Sequence, residues 1–398
     1  FQINRSYTMP SDSDEGIETV PKVEDFGYHF KDDRLVAIKD GSKFKFTTQK
    51  NYEDLGDAIA LEVYEMMERE GLRRRRLGCD VLQRFVFASP GYKKKERILV
   101  LIHGSGVVKA GQWARKLIIN ESLTRGTQLP YIRRGLQLGW GVVVLNYNER
   151  CMPGSKHACN PSSHASLEWE ALFPPSLRSE LIVVAHSFGG YVISSCLKDH
   201  EPSFRGRVSV VCLTDAGFTG AFPRVANWHT RRERLKKAAG VYALYSGDST
   251  HEGTSSAAIN SIFHVLENVR KDTDQESWLR LLEEAQGIVI AEMKEKRTQA
   301  NKEAAQSGPS STEEEKKQEV EPKDEEKSDE KKEDEETAVE EEKKDVEMKI
   351  EEKKEDEGKE GDEGKEKNEV KQDDDTQIKD QKDPTDGEED EKMETTSL

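Results

Sequence analysis

Apolar positions along this 398-residue chain fall into two alternating patterns up to about residue 300 and then stop. Short, near-continuous apolar runs recur at "RFVFAS" (84–89), "RILVLI" (97–102), "GVVVLN" (141–146), "LIVVAH" (181–186), "VSVVCLTD" (208–215) and "VYALYS" (241–246). Runs of this kind suit strands buried on both faces. Helical spacing separates them over 109–119, 129–138, 190–199, 224–238 and 256–270, with a last helix over 276–296. Such alternation predicts a mainly parallel sheet covered on both faces, an α/β architecture. Ahead of it, "FGYHF", "RLVAIK" and "KFKFT" read as short strands. The last two are joined by Asp40-Gly41, a pair suited to a type I′ turn, and a helix follows over 52–70. The stretch 149–178, rich in Pro, Ser and Gly, reads as a loop placed to cover a pocket or simply to lie on the surface.

Charge divides the chain. The formal net charge is −17, but residues 301–398 alone carry 41 acidic side chains against 19 lysines, a net of −22, and no aromatic residue. Such a segment cannot bury enough apolar surface to offset chain entropy, so it is expected to be disordered. The domain reading is therefore a flexible 1–24, a folded 25–298 and an acidic tail over 299–398. The body is mildly basic, so body and tail suit transient contact with each other, and the tail suits binding of basic proteins or simply keeping the chain in solution. "RRRR" (73–76) reads first as a solvated loop and second as a nuclear-import or phosphate-binding patch. "RRERLKK" (231–237) reads as an exposed basic helix face.

Five scattered cysteines with no CxxC pair suggest free thiols, with neither a zinc site nor a disulfide framework. No cofactor-binding signature appears. No run is long enough for a membrane span. No RNA-recognition signature, zinc finger or basic–aromatic alternation points to direct nucleic-acid binding. The chain opens on Phe1 rather than Met, as it would if an N-terminal targeting segment were missing.

The segment "LIVVAHSFGGYVISS" carries the candidate chemistry. An α/β-hydrolase nucleophile sits on a strained strand-to-helix turn that needs small residues two before and two after it. Ala185 and Gly189 fill those places around Ser187, and Gly190 adds room. The fold's chain order is Ser, then acid, then His. His251, in "SGDSTHEGTSS" after a strand, is the candidate base. Asp215, at a strand end, is the preferred acid, and Asp248 the alternative. The oxyanion donors are sought at Ser105 and Gly106 in "LIHGSGVV", with Phe188 after the nucleophile. His103, Gly104 and His186 are supporting residues, and both histidines read more readily as hydrogen-bonded structural groups than as reactants. Elbow and glycine loop also fit a backbone that keeps these shapes without the chemistry.

"VLIHGSGVVKAGQWARKLIINESLTRGTQLPYI" (100–132) resembles the argonaute-binding-protein-two (Arb-two) domain family, whose animal members are called cotranscriptional regulators. "DFGYHFKDDRLVAIKDG", "GWGVVVLNYNE", "VVAHSFGG", "VVCLTD" and "SGDSTHEGTSS" extend the likeness over about residues 20–270. The resemblance implies an α/β-hydrolase-like fold used in the nucleus, with Argonaute, chromatin and splicing factors as protein partners. It also places the family's nucleophile on Ser187 and its histidine on His251. Animal relatives carry a longer basic insertion before the elbow strand. Many end in a tetrapeptide resembling a retention signal, where this chain reads "TTSL", so retention by that route is not expected. Two functions follow: an adaptor on a hydrolase-like platform, favoured by the resemblance, and an active serine hydrolase. A third makes the tail itself the binder of basic proteins.

Overall fold

The computed structural model describes residues 21–77, 85–148, 161–231, 236–238 and 240–306. By its contacts the chain forms one unit over Phe1–Pro309 and a second over Ser310–Leu398. Of the expected acidic tail (299–398), residues 299–306 continue the last helix, Gln275–Gln306, beyond its expected end at 296, and the rest lies outside the described residues.

The first unit opens with a hairpin, β1 (Tyr28–Lys31) and β2 (Arg34–Ala37), and then α1 (Gln49–Arg69), whose start Thr48 caps by accepting from the Asn51 N–H. The hairpin turn is Asp32-Asp33, both at positive φ (47° and 72°), as a type I′ turn requires. The expected strand "KFKFT" is reduced to one bridge, Val36 to Lys43, so the Asp40-Gly41 turn does not close a hairpin. The Asp33 carboxylate and carbonyl accept the N–H groups of Thr124 and Leu123, so tertiary contact selects the earlier turn.

The main sheet comprises β3 (Arg73–Arg76), β4 (Phe85–Ala88), β5 (Arg97–Ile102), β6 (Gly141–Val144), β7 (Glu180–His186), β8 (Val208–Thr214), β9 (Val225–His229), β10 (Lys236–Ala238) and β11 (Val241–Tyr245). Its order is β10-β11-β9-β8-β7-β5-β6-β4-β3. The six strands from β11 to β6 are parallel, and β10, β4 and β3 pair antiparallel at the edges. Every residue of β5, β6 and β8 is buried, which explains their unbroken apolar character.

Helices cover both faces. On one lie α1, α4 (Leu129–Gln137), α9 (Ile259–Asn268) and α10 (Gln275–Gln306), packed through Met67, Ile132, Phe263 and Trp278. On the other lie α5 (Pro161–Leu172), α6 (Gly189–Asp199) and α7 (Glu201–Arg205), packed through Trp169, Ile193 and Phe204. The short helices α2 (Arg115–Asn120), α3 (Leu123–Gly126) and α8 (Thr254–Ala257) fill connections near the strand ends. Parallel order, helices on both faces and a strand–turn–helix elbow make this an α/β-hydrolase-like fold.

Four expectations need correction. The expected helix 224–238 is instead β9 followed by β10, because "VANWH" is buried on its first four residues between β8 and β11. Residues 232–235 of "RRERLKK" lie outside the described residues. The expected helix 109–119 begins only at Arg115, since Lys109–Trp113 spend their polar groups on Gln112, Asn146 and Gly126. "RRRR" is the outer edge strand rather than a loop. Arg74 lies over Tyr64, Phe85 and Phe87, and Arg75 lies over Tyr92. Within 149–178, residues 161–172 form α5, anchored by the buried Trp169, while 149–160 lie outside the described residues.

Candidate active site

Ser187 follows β7 at φ +54°, a left-handed conformation that costs a non-glycine residue about 1–2 kcal/mol. The neighbours explain how the turn persists. Ser187 donates its N–H to the Thr214 carbonyl, and its own carbonyl accepts from Gly190. A β-carbon on Gly190 would lie 1.9 Å from the Gly217 oxygen, and one on Gly189 2.7 Å from the His103 oxygen. Ala185 is buried in register with Ile102 and Leu213, so the elbow is pressed between the ends of β5 and β8.

The loop after β5 faces that elbow. A β-carbon on Gly104 would sit 3.2 Å from the Ser187 β-carbon and 3.6 Å from its Oγ, so the loop backbone runs close against the elbow. Three of the loop's carbonyls are occupied. Gly104 O accepts from Asn148 Nδ2 (2.9 Å) and the Tyr147 hydroxyl (2.8 Å), Val108 O from Asn148 (3.0 Å), and Val107 O from Arg115 (3.2 Å). Gly106 makes the reversal at φ +82°. Among the described residues no hydrogen bond uses the N–H groups of Ser105 or Phe188. They remain available to an oxyanion.

His251 donates from Nδ1 to Asp215 Oδ2 at 2.7 Å, which leaves Nε2 as the basic nitrogen. Its ring lies 4.8 Å from that of His186, the residue before Ser187. Burial alone would raise the Asp215 carboxyl, but hydrogen bonds from His229 and His251 hold it well below the usual carboxylate range. Asp248, the alternative acid, is spent elsewhere. It pairs with Arg125 at 2.6 Å and accepts from Thr250, and its lowered carboxyl reflects those bonds working against burial.

His103 and His186 are fully buried. Nδ1 of His186 faces the Thr214 carbonyl and hydroxyl at 3.0 and 3.1 Å, and burial with the nearby His251 lowers its pKa to about 3. His103 stacks on Tyr147 at 4.4 Å and its Nδ1 contacts Gly104 O at 2.8 Å. Burial lowers its pKa to about 4. Both are neutral structural groups. His229, whose Nδ1 lies 3.2 Å from Asp215 Oδ1, is the site residue that sequence reasoning missed. It ends β9, and reading that segment as helix removed the only signal that would have brought it to the strand ends.

Ser187 and His251 share a cavity of about 240 Å³ whose walls include Gly104, Ser105, Val107, Trp113, Arg115 and Tyr52. Among the described residues none of α5 lines it. Among the described residues no cluster of His, Cys, Asp or Glu is arranged to hold a metal, and no helix is long and apolar enough to cross a membrane.

The Arb2 domain model matches residues 20–158, which include the loop after β5. A C. elegans FAM172 family protein homolog is 40% identical over 294 residues, covering 66% of this chain and 91% of that protein. The chain belongs to the Arb2-domain family. The human cotranscriptional regulator ARB2A is 30% identical over 263 residues, covering 49% of this chain and 63% of the human protein; the Dictyostelium homolog is 27% identical over 308. Solved structures sharing parts of the fold include the haloalkane dehalogenase DatA of Agrobacterium tumefaciens (12% identity, TM-score 0.26, 37% of this chain and 42% of that one). The carboxylesterase EstE1 is another (14%, 0.27, 42% and 56%). Likeness at that level carries no argument about activity, and the fold assignment rests on the strand order.

Proposed function

We propose that this Arb2-family chain is a nuclear cotranscriptional regulator whose hydrolase-like domain retains a competent serine-hydrolase centre. The name borne by its relatives supports the regulatory half; the partners proposed for it, of the Argonaute, chromatin or splicing type, are those the sequence resemblance implies. The catalytic half rests on one observation: His251 Nδ1 is bonded to Asp215 while His251 and the strained Ser187 open on one cavity.

In this reading His251 Nε2 takes the Ser187 Oγ proton as Oγ attacks an ester or thioester carbonyl, and Asp215 stays ionised beside the resulting imidazolium. The N–H groups of Ser105, Gly106 and Phe188 receive the oxyanion. His251 returns the proton to the leaving group, and water then releases the acyl group from Ser187 by the same steps in reverse.

Labelling of the full chain with a fluorophosphonate probe tests this, with Ser187→Ala as control. Covalent modification of Ser187 that is lost in the control is the expected result. A folded protein that takes up no probe leaves the adaptor function standing on an inactive elbow.

A further inference from the structure

We infer that His229 is a positioning residue of this site: it holds the second oxygen of Asp215 and so fixes the acid's orientation toward His251. The inference rests on the triad reading above and adds a residue that the Ser-acid-His pattern does not contain.

Asp215 is poorly placed to orient itself. It lies just beyond β8, partly buried, at φ +45°. A carboxylate on a left-handed turn at a strand end rotates freely about χ2 unless both oxygens are engaged. Three consecutive residues of β9 supply the restraint. The Asn227 side chain clamps the next residue in the turn, donating to Ala216 O at 2.5 Å and accepting from Ala216 N at 3.3 Å. The Trp228 carbonyl accepts the Asp215 N–H at 2.9 Å. His229 Nδ1 then meets Asp215 Oδ1 at 3.2 Å while Oδ2 remains for His251 at 2.7 Å.

Backbone, flanking residue and carboxylate are therefore held by successive positions on one buried strand. β9 is itself fixed between β8 and β11, with Trp228 donating from its indole to Ser261 at 2.8 Å. With Oδ1 occupied, the lone pairs of Oδ2 point at His251 in one rotamer, which sets the tautomer that leaves Nε2 basic. His229 contributes through Asp215 and does not line the cavity beside Ser187.

Asparagine places its amide nitrogen where histidine has Nδ1, whereas glutamine places it where histidine has Nε2. The test is the rate of fluorophosphonate labelling of Ser187 in the full chain, resolved into apparent probe affinity and inactivation rate constant. The variants are His229→Ala, His229→Asn and His229→Gln. We expect His229→Ala and His229→Gln to label on the order of ten- to a hundred-fold more slowly at unchanged probe affinity. His229→Asn should recover most of the rate.

Should His229→Ala fail to fold, the Asn–Gln contrast alone decides. Equal rates for Asn and Gln, or a His229→Ala that labels like the parent, overturn the role of His229 while leaving the triad intact. A folded parent chain that does not label at Ser187 overturns the triad reading and this assignment with it.

Discussion

Two imidazoles buried as neutral groups make the domain sensitive to mild acid, and His103 offers a clean measure of it. Its ring is wholly buried, stacked on Tyr147, with a pKa lowered from 6.5 to about 4 by burial. Folded His103 therefore stays neutral between about pH 6.5 and 4, while the unfolded chain takes up a proton there. Where the unfolded state binds more protons, stability falls as pH falls. One pKa unit corresponds to about 1.36 kcal/mol, so at pH 5 this residue costs about 2 kcal/mol relative to neutral pH. The loss is complete near pH 4 and absent above about pH 7.

His103→Phe keeps the stacked ring and removes the titration. The Gly104 carbonyl still has Asn148 as a donor. The variant should be less stable at pH 7 by roughly 1 kcal/mol for the lost hydrogen bond. That deficit should vanish or reverse by pH 5, a relative gain of about 2 kcal/mol. Urea denaturation of both proteins from pH 7.5 to 4.5 reads the difference directly, because every other titrating group is common to the pair. Parallel stability curves across that range would refute the buried-neutral assignment. So would a deficit that grows toward low pH.

Three further outcomes are expected. Asp215→Asn should slow probe labelling of Ser187 by more than a hundred-fold, whereas Asp248→Asn, which loses the Arg125 pair, should alter stability and leave labelling near the parent rate. Arg97→Met should destabilise by about 3 kcal/mol in urea, since Arg97 is buried against Glu180 at 2.7 Å and donates to the Leu266 and Val269 carbonyls. Ser187→Gly should be more stable than Ser187→Ala by roughly 0.5–1 kcal/mol, the relieved left-handed strain outweighing the added chain entropy; thermal melts that rank alanine higher would show that the elbow is not strained.

The sheet was legible because burial on both faces writes itself as continuous apolar runs. Arg97–Ile102 and Glu180–His186 were delimited almost to the residue. The elbow was equally plain, since close backbone approach restricts Gly189 and Gly190 to residues without a side chain, and Gly104 of the facing loop is also tightly approached. What failed was β9. Five residues are too short for periodicity to tell strand from helix, and the basic run that follows favoured a helix. Only its neighbours β8 and β11 decide the matter, and strand pairing is not a local property. The choice between Asp215 and Asp248 was hidden for the same reason: it turns on Arg125, 123 residues away in sequence, drawing Asp248 aside.

The missed strand is also the one that organises the acid, and the two facts share a cause. A turn of left-handed residues cannot hold itself, so its restraint must come from a different segment already rigid in the sheet. For Ser187 that segment is the end of β8, whose Thr214 carbonyl takes the serine N–H. For Asp215 it is the end of β9, through Asn227, Trp228 and His229. Each of the two residues is thus fixed by the next strand outward, one step further from the sheet's centre. A search confined to the local motif finds the nucleophile and misses what aligns its partners. In the proposed triad the placement of Ser187, Asp215 and His251 follows from the order β7-β8-β9-β11, not from the elbow sequence alone.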